Sequence, residues 1–199
     1  YVRDLLRGVD NKDIDIEIHG INEDVLKSIS DTVTPQGVVC TVKMCSNNFE
    51  YESGRRYIAL DTIQNPDNLG AISRTAEAFG IDGMVICGGC DIYNPKSQRA
   101  AMGSLFRLDI IQVDDLPPFR SELKVEGMNV YAGVPDSTAL KITEANMQGG
   151  VVSVIGNEGN GITDETRNVC TPVTIPMQGR AESLNAAAAA SILIWEMMR

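Results

Sequence analysis

From residue 57 to the C-terminus, short apolar runs alternate with longer stretches of helical periodicity, and this alternation constrains the fold most. Strands that alternate with helices form a mostly parallel sheet with helices on both faces, because a crossover helix must connect parallel neighbours. The sequence therefore predicts the α/β class. The predicted strands are residues 57–61, 83–87, 106–110, 130–133, 151–155 and 173–175, and the predicted helices are residues 69–79, 96–104, 118–126, 164–168 and 184 onward.

The pattern divides the chain into three parts. Residues 57–199 form the main α/β domain. Residues 47–56 are polar and lack periodicity, which predicts a linker. Residues 1–46 have their own strand and helix signals, and we interpret them as the C-terminal part of a small α/β domain.

Within the N-terminal part, two segments have strand character. Residues 13–19 alternate polar and apolar, and residues 37–44 are rich in β-branched side chains. Residues 23–30 lie between them and predict a short helix, with Asn22 as the N-cap. We therefore expect one helix between two strands.

The composition is that of an ordinary globular protein, with 43% hydrophobic and 22% charged residues. No apolar run is long enough to cross a membrane, so no membrane partner is expected. Five cysteines without disulfide-rich spacing favour the reducing cytoplasm. A net charge of −10 disfavours binding to phosphate, so a nucleic-acid partner would need a local basic cleft and would bind with strong salt sensitivity.

Three segments place glycines, amides and an ionisable side chain directly after predicted strands. Ligand sites of open α/β sheets form at these carboxyl ends. The segments are residues 65–74 (NPDNLGAISR), 155–163 (IGNEGNGIT) and 175–185 (IPMQGRAESLN).

Each segment also has a simpler structural interpretation. Asn68 stands where a helix cap is expected, and Arg74 has the spacing of a solvated helix arginine. Glu158 lies in a glycine-rich turn that lacks the G-x-G-x-x-G spacing of nucleotide-binding loops. Ser183 would cap a last helix that is apolar on nearly every face and must be buried. The residues alone leave these alternatives open.

In their order and spacing, the three segments together resemble the motifs of the SpoU branch of the SPOUT RNA methyltransferases. These enzymes transfer a methyl group from S-adenosylmethionine to a ribose 2′-hydroxyl of RNA. The resemblance covers roughly residue 57 to the C-terminus. It implies a C-terminal trefoil knot, an upstream RNA-recognition domain and a homodimer through the last helix, without a metal. Ribosomal RNA is the favoured substrate; transfer RNA and a non-catalytic RNA-binding relative are the alternatives.

The resemblance also assigns site residues. Implied catalytic residues are Asn68, Arg74, Glu158, Ser183 and Asn185. Implied cofactor-binding residues are Gly133, Gly156, Asn157, Glu158, Ile175, Met177, Leu184 and Asn185. Implied RNA contacts are Arg74, Lys96 and Arg99.

Two of these assignments carry a physical argument. Gly156 would leave space for its backbone to approach the cofactor. The family view makes Arg74 the activating residue, but a guanidinium stays protonated at neutral pH and is therefore a poor base. We therefore interpret Arg74 as a clamp on the target phosphate and the developing alkoxide, with the proton passing to phosphate, water or Glu158.

Two other kinds of site are disfavoured. Cys87 and Cys90 have C-x-x-C spacing, but the remaining cysteines supply no second pair for zinc, and no thioredoxin-like helix follows. We interpret them as structural thiols. A nucleotide-dependent oxidoreductase of Rossmann type is disfavoured because its glycine fingerprint and acidic ribose partner are missing.

Overall fold

The computed structural model describes residues 17–30, 32–44, 52–116 and 127–199. The chain forms two compact units, Tyr1–Cys45 and Ser46–Arg199, and each is described by itself. The assignment of the first unit to an RNA-recognition domain, and the limits of the linker, stay predictions.

The first unit contains the predicted short helix. Helix α1 spans Glu23–Ile29, and the Asn22 side chain accepts a hydrogen bond from the Val25 N–H at 2.9 Å, which confirms the predicted cap. The strand predicted at residues 37–44 is wrong: this segment is irregular and exposed. The described part of the unit offers it no neighbouring strand, and β-branched composition alone does not form a ladder.

The other predicted N-terminal strand is only partly described. Residues 13–16 lie outside the described residues, and residues 17–19 are irregular. The predicted helix at residues 118–126 also lies outside the described residues.

The second unit is built on a seven-stranded sheet in the order β3-β2-β1-β6-β4-β7-β5, and every neighbouring pair is parallel. The parallel α/β sheet predicted from the sequence is therefore confirmed. The implied knot stays a prediction. The strands are β1 Arg56–Asp61, β2 Gly83–Cys87, β3 Ile110–Val113, β4 Asn129–Gly133, β5 Leu140–Lys141, β6 Val151–Ile155 and β7 Thr171–Thr174.

Helices follow β1, β2, β6 and β7 as expected, whereas β4, β5 and β6 follow one another with only a 3-10 turn between β5 and β6. The third strand begins later than predicted, because residues 104–106 form a 3-10 turn. No described helix combines the length and hydrophobicity needed to cross a bilayer. The helices are α2 Pro66–Phe79, α3 Pro95–Ala101, α4 Asp164–Val169 and α5 Ala186–Met198, with a second 3-10 turn at Ile142–Glu144.

Apolar side chains cover both faces of the sheet. On one face, Ile58 and Leu60 of β1 join Leu193 of α5 in one core. On the other face, Tyr57 and Val152 join a second cluster. Parallel strands buried on both sides require the nearly continuous apolar runs that the sequence shows.

Helix α2 begins one turn earlier than predicted. The Asn65 side chain caps it, accepting from the Asp67 N–H at 2.9 Å, and Pro66 occupies the first helical position. Asn68, expected as the cap, lies inside the first turn and is buried. Its side chain is therefore available for tertiary contacts.

Helix α5 is also capped by a different residue. The Asn185 side chain accepts from the N–H groups of Ala187 and Ala188 at 2.9 and 3.3 Å. Ser183, the expected cap, lies two residues before the cap and is exposed. Asparagine and serine are about equally good caps, so composition alone did not decide between them.

Candidate active site

A cavity of about 630 Å³ lies at the carboxyl ends of β4, β6 and β7. Four segments form its walls: residues 133–136, 155–162, 173–177 and 183–189. Such volumes are typical of small-ligand sites, and the carboxyl edge is where parallel sheets bind ligands.

The cavity gathers residues that are far apart in sequence. Ser183 lines it, together with all eight residues to which the resemblance assigned cofactor binding. Asn68, Arg74, Lys96 and Arg99 are not part of its lining. The eight residues are Gly133, Gly156, Asn157, Glu158, Ile175, Met177, Leu184 and Asn185. Their roles stay predictions, but their proximity is a property of the fold.

A hydrogen-bonded chain of three side chains joins the three segments. The Asn68 amide donates from Nδ2 to Glu158 Oε1 at 2.8 Å. Asn185 Nδ2 donates to Asn68 Oδ1 at 3.0 Å. Since Asn185 also caps α5, the chain connects the start of α2, the loop after β6 and the start of α5.

Glu158 is held as a carboxylate by several donors. Its two oxygens also accept the N–H groups of Gln64 and Asn65 at 3.3 and 3.2 Å. Burial alone would raise the pKa of Glu158, but the hydrogen bonds from Asn68 and from backbone N–H groups outweigh it, and the pKa lies below its ordinary value. Glu158 is therefore a weaker proton acceptor than an ordinary glutamate.

The loop after β6 is held by hydrogen bonds of the Asn157 side chain and by close packing of its two ends. Asn157 donates from Nδ2 to the Thr62 carbonyl at 2.8 Å and accepts the Gly159 N–H at 2.8 Å. A Cβ on Gly156 would lie 2.3 Å from the carbonyl carbon of Gly161. The space that Gly156 leaves is therefore filled by the returning loop, whereas the sequence argument gave it to a cofactor.

A buried carboxylate supports the far end of this loop. Asp61, 1% exposed at the end of β1, accepts from both the N–H and the hydroxyl of Thr163 at 3.0 Å. Thr163 is the N-cap of α4. This contact was not predicted from the sequence, although an acidic residue at the end of an apolar strand was a signal for it.

The rim of the cavity carries an ion pair that the sequence analysis also missed. Arg167 Nη2 of α4 lies 3.4 Å from Asp136 Oδ2, and both residues line the cavity. Hydrogen bonds from the hydroxyl and N–H of Thr138, and then the charge of Arg167, lower the pKa of Asp136. No sequence motif marks this pair, since it depends on α4 meeting the loop after β4.

The three residues expected to contact RNA are exposed outside the cavity. Arg74 lies on α2, and Lys96 and Arg99 lie on α3. Among the described residues, their side chains form no ion pair. Their charges are therefore open to an external anion.

The C-x-x-C cysteines have the properties of structural thiols. Burial raises the pKa of both Cys87 and Cys90, so both stay protonated at neutral pH. Among the described residues, Cys40, Cys87 and Cys90 are free thiols. In the described ranges, no group of three or more histidine, cysteine or acidic residues could hold a metal ion.

A parallel α/β sheet with a ligand-sized cavity at the carboxyl ends of its strands defines the class of protein, and the sequence identifies the family. Residues 55–195 match the SpoU rRNA Methylase family. The chain belongs to this family.

The similarity to two named relatives extends along nearly the whole chain. The chain is 31% identical over 198 residues to the 23S rRNA (guanosine(2553)-2'-O)-methyltransferase RlmP of Bacillus subtilis, covering 98% of this chain and 78% of RlmP. It is 30% identical over 209 residues to the 23S rRNA (uridine(2479)-2'-O)-methyltransferase of Streptomyces viridochromogenes, covering 100% of this chain and 71% of that enzyme.

Solved structures share the fold. An rRNA methyltransferase from Sinorhizobium meliloti superposes with a TM-score of 0.78 at 30% identity, covering 88% of this chain and 69% of that one. The SpoU methyltransferase AviRb from Streptomyces viridochromogenes, in complex with the cofactor AdoMet, superposes with a TM-score of 0.68 at 29% identity, covering 74% of this chain and 61% of AviRb.

Proposed function

We propose that the protein is an S-adenosylmethionine-dependent methyltransferase that acts on the ribose 2′-hydroxyl of RNA, with ribosomal RNA as its substrate. The observation that carries the proposal is the chain Glu158–Asn68–Asn185, which joins three separate segments beside a cavity of small-ligand size. The names of the two relatives, both 23S rRNA 2'-O-methyltransferases, support the same reaction and favour ribosomal RNA.

The cavity fits the cofactor in size and polarity. Its inner wall includes Ile155, Val173 and Leu193, each at most 3% exposed, which suit the adenine ring. Ile175 and Leu184 line the same space, and the family resemblance assigns their backbones to the edge of the ring. When bound, the cofactor supplies a methyl group on a positively charged sulfur, which makes the methyl carbon electrophilic.

The side chains around the cavity position the reactants. Asn68, Asn185 and Glu158 hold the cavity wall in one arrangement, and Ser183 lies beside them. The two oxygens of Glu158 already accept the Asn68 amide and two backbone N–H groups, so Glu158 serves to hold the wall, and the hydroxyl proton passes to the RNA phosphate or to water. Arg74 supplies the positive charge that holds the phosphate and stabilises the alkoxide as it attacks.

The proposed assembly is a homodimer in the cytoplasm. Trp195 and Ile192 of α5 are 55% and 37% exposed, and Trp195 meets the ring of Phe79 edge-on at 5.6 Å. Large apolar side chains exposed together favour contact with another surface. The free cysteines favour a reducing compartment.

A methylation assay on two RNA classes tests the proposal. Unmodified ribosomal and transfer RNA are incubated with labelled S-adenosylmethionine, digested to nucleosides and analysed by mass spectrometry. We expect a 2′-O-methylnucleoside from ribosomal RNA. Product from transfer RNA alone would identify transfer RNA as the substrate. RNA binding without product would identify a non-catalytic relative, and a methylated base would contradict the reaction.

A further inference from the structure

The ion pair at the cavity rim has no part in the proposed methyl transfer. Arg167 and Asp136 both line the cavity, and their side chains are 50% and 39% exposed. An ion pair so open to solvent contributes little to folding stability. Its two charges are therefore available to a ligand.

The two partners differ in how firmly they are held. Thr138 donates from its N–H and its hydroxyl to Asp136 Oδ1 at 2.9 and 2.7 Å, so this carboxylate stays in place when Arg167 moves. Within the described part of the chain, the Arg167 guanidinium makes only the 3.4 Å hydrogen bond to Asp136. Most of the donors of its guanidinium are therefore free to bind an anion.

We infer that Arg167 binds the carboxylate, and Asp136 the ammonium group, of the amino-acid end of S-adenosylmethionine. The inference rests on the proposed function. It names the side chains that recognise the part of the cofactor that does not react.

Charge complementarity carries the inference. The amino-acid end is a zwitterion, and placing it against the apolar inner wall would leave both charges without partners. The rim offers one charge of each sign, and the planar guanidinium matches a carboxylate with two parallel hydrogen bonds. Arg167 is the only cationic side chain among the described residues that line the cavity, and the other lining carboxylate, Glu158, already accepts the Asn68 amide and two backbone N–H groups.

Two adenosine compounds test the assignment by calorimetry. S-adenosylhomocysteine and 5′-methylthioadenosine share the adenosine and the thioether, but only the first has the amino-acid group. Arg167→Gln should weaken S-adenosylhomocysteine binding about tenfold or more, as expected for loss of a charged hydrogen bond. Binding of 5′-methylthioadenosine should not change. Asp136→Asn should show the same selectivity, and Arg167→Lys should lose less affinity than Arg167→Gln.

Arg55→Gln is the matched control. Arg55 is 48% exposed and pairs with Asp82, but it precedes β1 and therefore lies at the amino ends of the strands, opposite the cavity. The Arg55→Gln variant should bind both compounds with unchanged affinity. Melting temperatures of all the variants test whether they remain folded.

The outcomes separate this inference from the proposed function. If the unsubstituted protein binds both compounds and the Arg167 variant loses neither or both equally, the inference is wrong while the proposed function stands. Equal losses for both compounds in Asp136→Asn would place that carboxylate against the adenosine and overturn its assignment. If the unsubstituted protein binds neither compound, the proposed function fails and the inference fails with it.

Discussion

At the scale of single residues, the proposed chemistry depends on separating groups that hold the cavity from groups that act on RNA. Arg74 belongs to the second kind, because it is exposed on α2 and is not part of the cavity lining. The Glu158–Asn68–Asn185 chain belongs to the first. Substitutions at the two places should therefore affect different measurements.

Arg74→Ala should reduce methyl transfer about a hundredfold or more, because the alkoxide loses a preorganised positive charge. Binding of S-adenosylmethionine should stay nearly unchanged. Calorimetry and the methylation assay on one sample measure both effects. The control Arg55→Ala removes an arginine from the opposite edge of the sheet and should turn over normally. Normal turnover by Arg74→Ala would refute the proposed role.

Gly156→Ala should destabilise the protein as well as weaken cofactor binding. The added Cβ would lie 2.3 Å from the backbone of Gly161, and clashes of this kind cost about 1–3 kcal/mol. Gly159→Ala is the control, since its Cβ would meet its nearest neighbour at an ordinary 3.5 Å. Melting temperatures with and without S-adenosylmethionine measure both effects. Equal stability of the two variants would contradict the close packing of this loop.

Glu158→Gln should change how stability depends on pH. The pKa of Glu158 is lowered, so its contribution to folding is present above the ordinary value of 4.5 and is lost as the pH falls through the folded-state pKa. The variant should melt lower at neutral pH and should lose less stability on acidification. Melting curves from about pH 3 to 7 test this.

The control for this experiment is Glu165→Gln. Glu165 forms no hydrogen bond through its carboxylate among the described residues, so this variant removes one negative charge without removing a hydrogen bond. Identical profiles for the parent protein and Glu158→Gln would show that the carboxylate contributes nothing to folding.

At the scale of elements, α5 has two functions that the structure separates by face. Leu193, Ile194 and Met197 are at most 1% exposed and complete the core. Ile192 and Trp195 point away from that core. The buried face explains why the helix is apolar, and the exposed apolar face supports the proposed dimer.

Trp195→Glu should convert a dimer into a monomer, because the interface would bury an unpaired charge at a cost of about 3 kcal/mol or more. Light scattering gives the mass of each sample. Phe106→Glu is the matched control, since Phe106 is also 55% exposed but lies in the 3-10 turn after α3. A monomeric parent protein would refute the proposed interface.

The sequence predicted elements where one pattern was unambiguous. The apolar run Val151–Ile155 forms β6 with the predicted limits, because a parallel strand buried on both faces needs a short, continuous apolar run. The start of α2 was misplaced because Asn65 and Asn68 are both good caps, and only Pro66 indicated the correct one. The strand predicted at residues 37–44 was wrong because a strand needs a neighbouring strand, which the local sequence does not reveal.

The lining of the cavity was predictable where its residues lie within the three segments, and at Gly133, which the family resemblance also named. Asp136 and Arg167 were not predictable, because the ion pair joins α4 to the loop after β4, two segments that are far apart in sequence. The buried Asp61–Thr163 contact likewise depends on the β1–β6 pairing. Contacts between distant segments follow from strand order, which periodicity does not specify.

At the scale of the whole molecule, a net charge of −10 must be reconciled with an RNA substrate. Arg74, Lys96 and Arg99 supply three exposed charges without ion pairs in the described part of the chain. We therefore expect RNA to bind through a few local contacts on a generally repulsive body, with affinity that depends on salt.

The logarithm of the RNA association constant should fall with the logarithm of salt concentration with a slope of about −2 to −3, as expected for three neutralised phosphates. Lys96→Gln should reduce the size of the slope by about 1. Lys141→Gln is the control, because Lys141 already pairs with Glu144. Fluorescence anisotropy over a salt series measures the slopes. A slope near zero would contradict binding through these cations.

The strand order also sets when the cavity can exist. β1 lies between β2, which follows it soon along the chain, and β6, which follows much later. Asn68 must wait for Glu158, 90 residues later, and for Asn185, 117 residues later. As the chain leaves the ribosome, β1, β2 and β3 can pair early, but closing these long loops comes last and is slow. A nascent chain therefore forms three of the seven strands, with one side of β1 unpaired, before it can bind its cofactor.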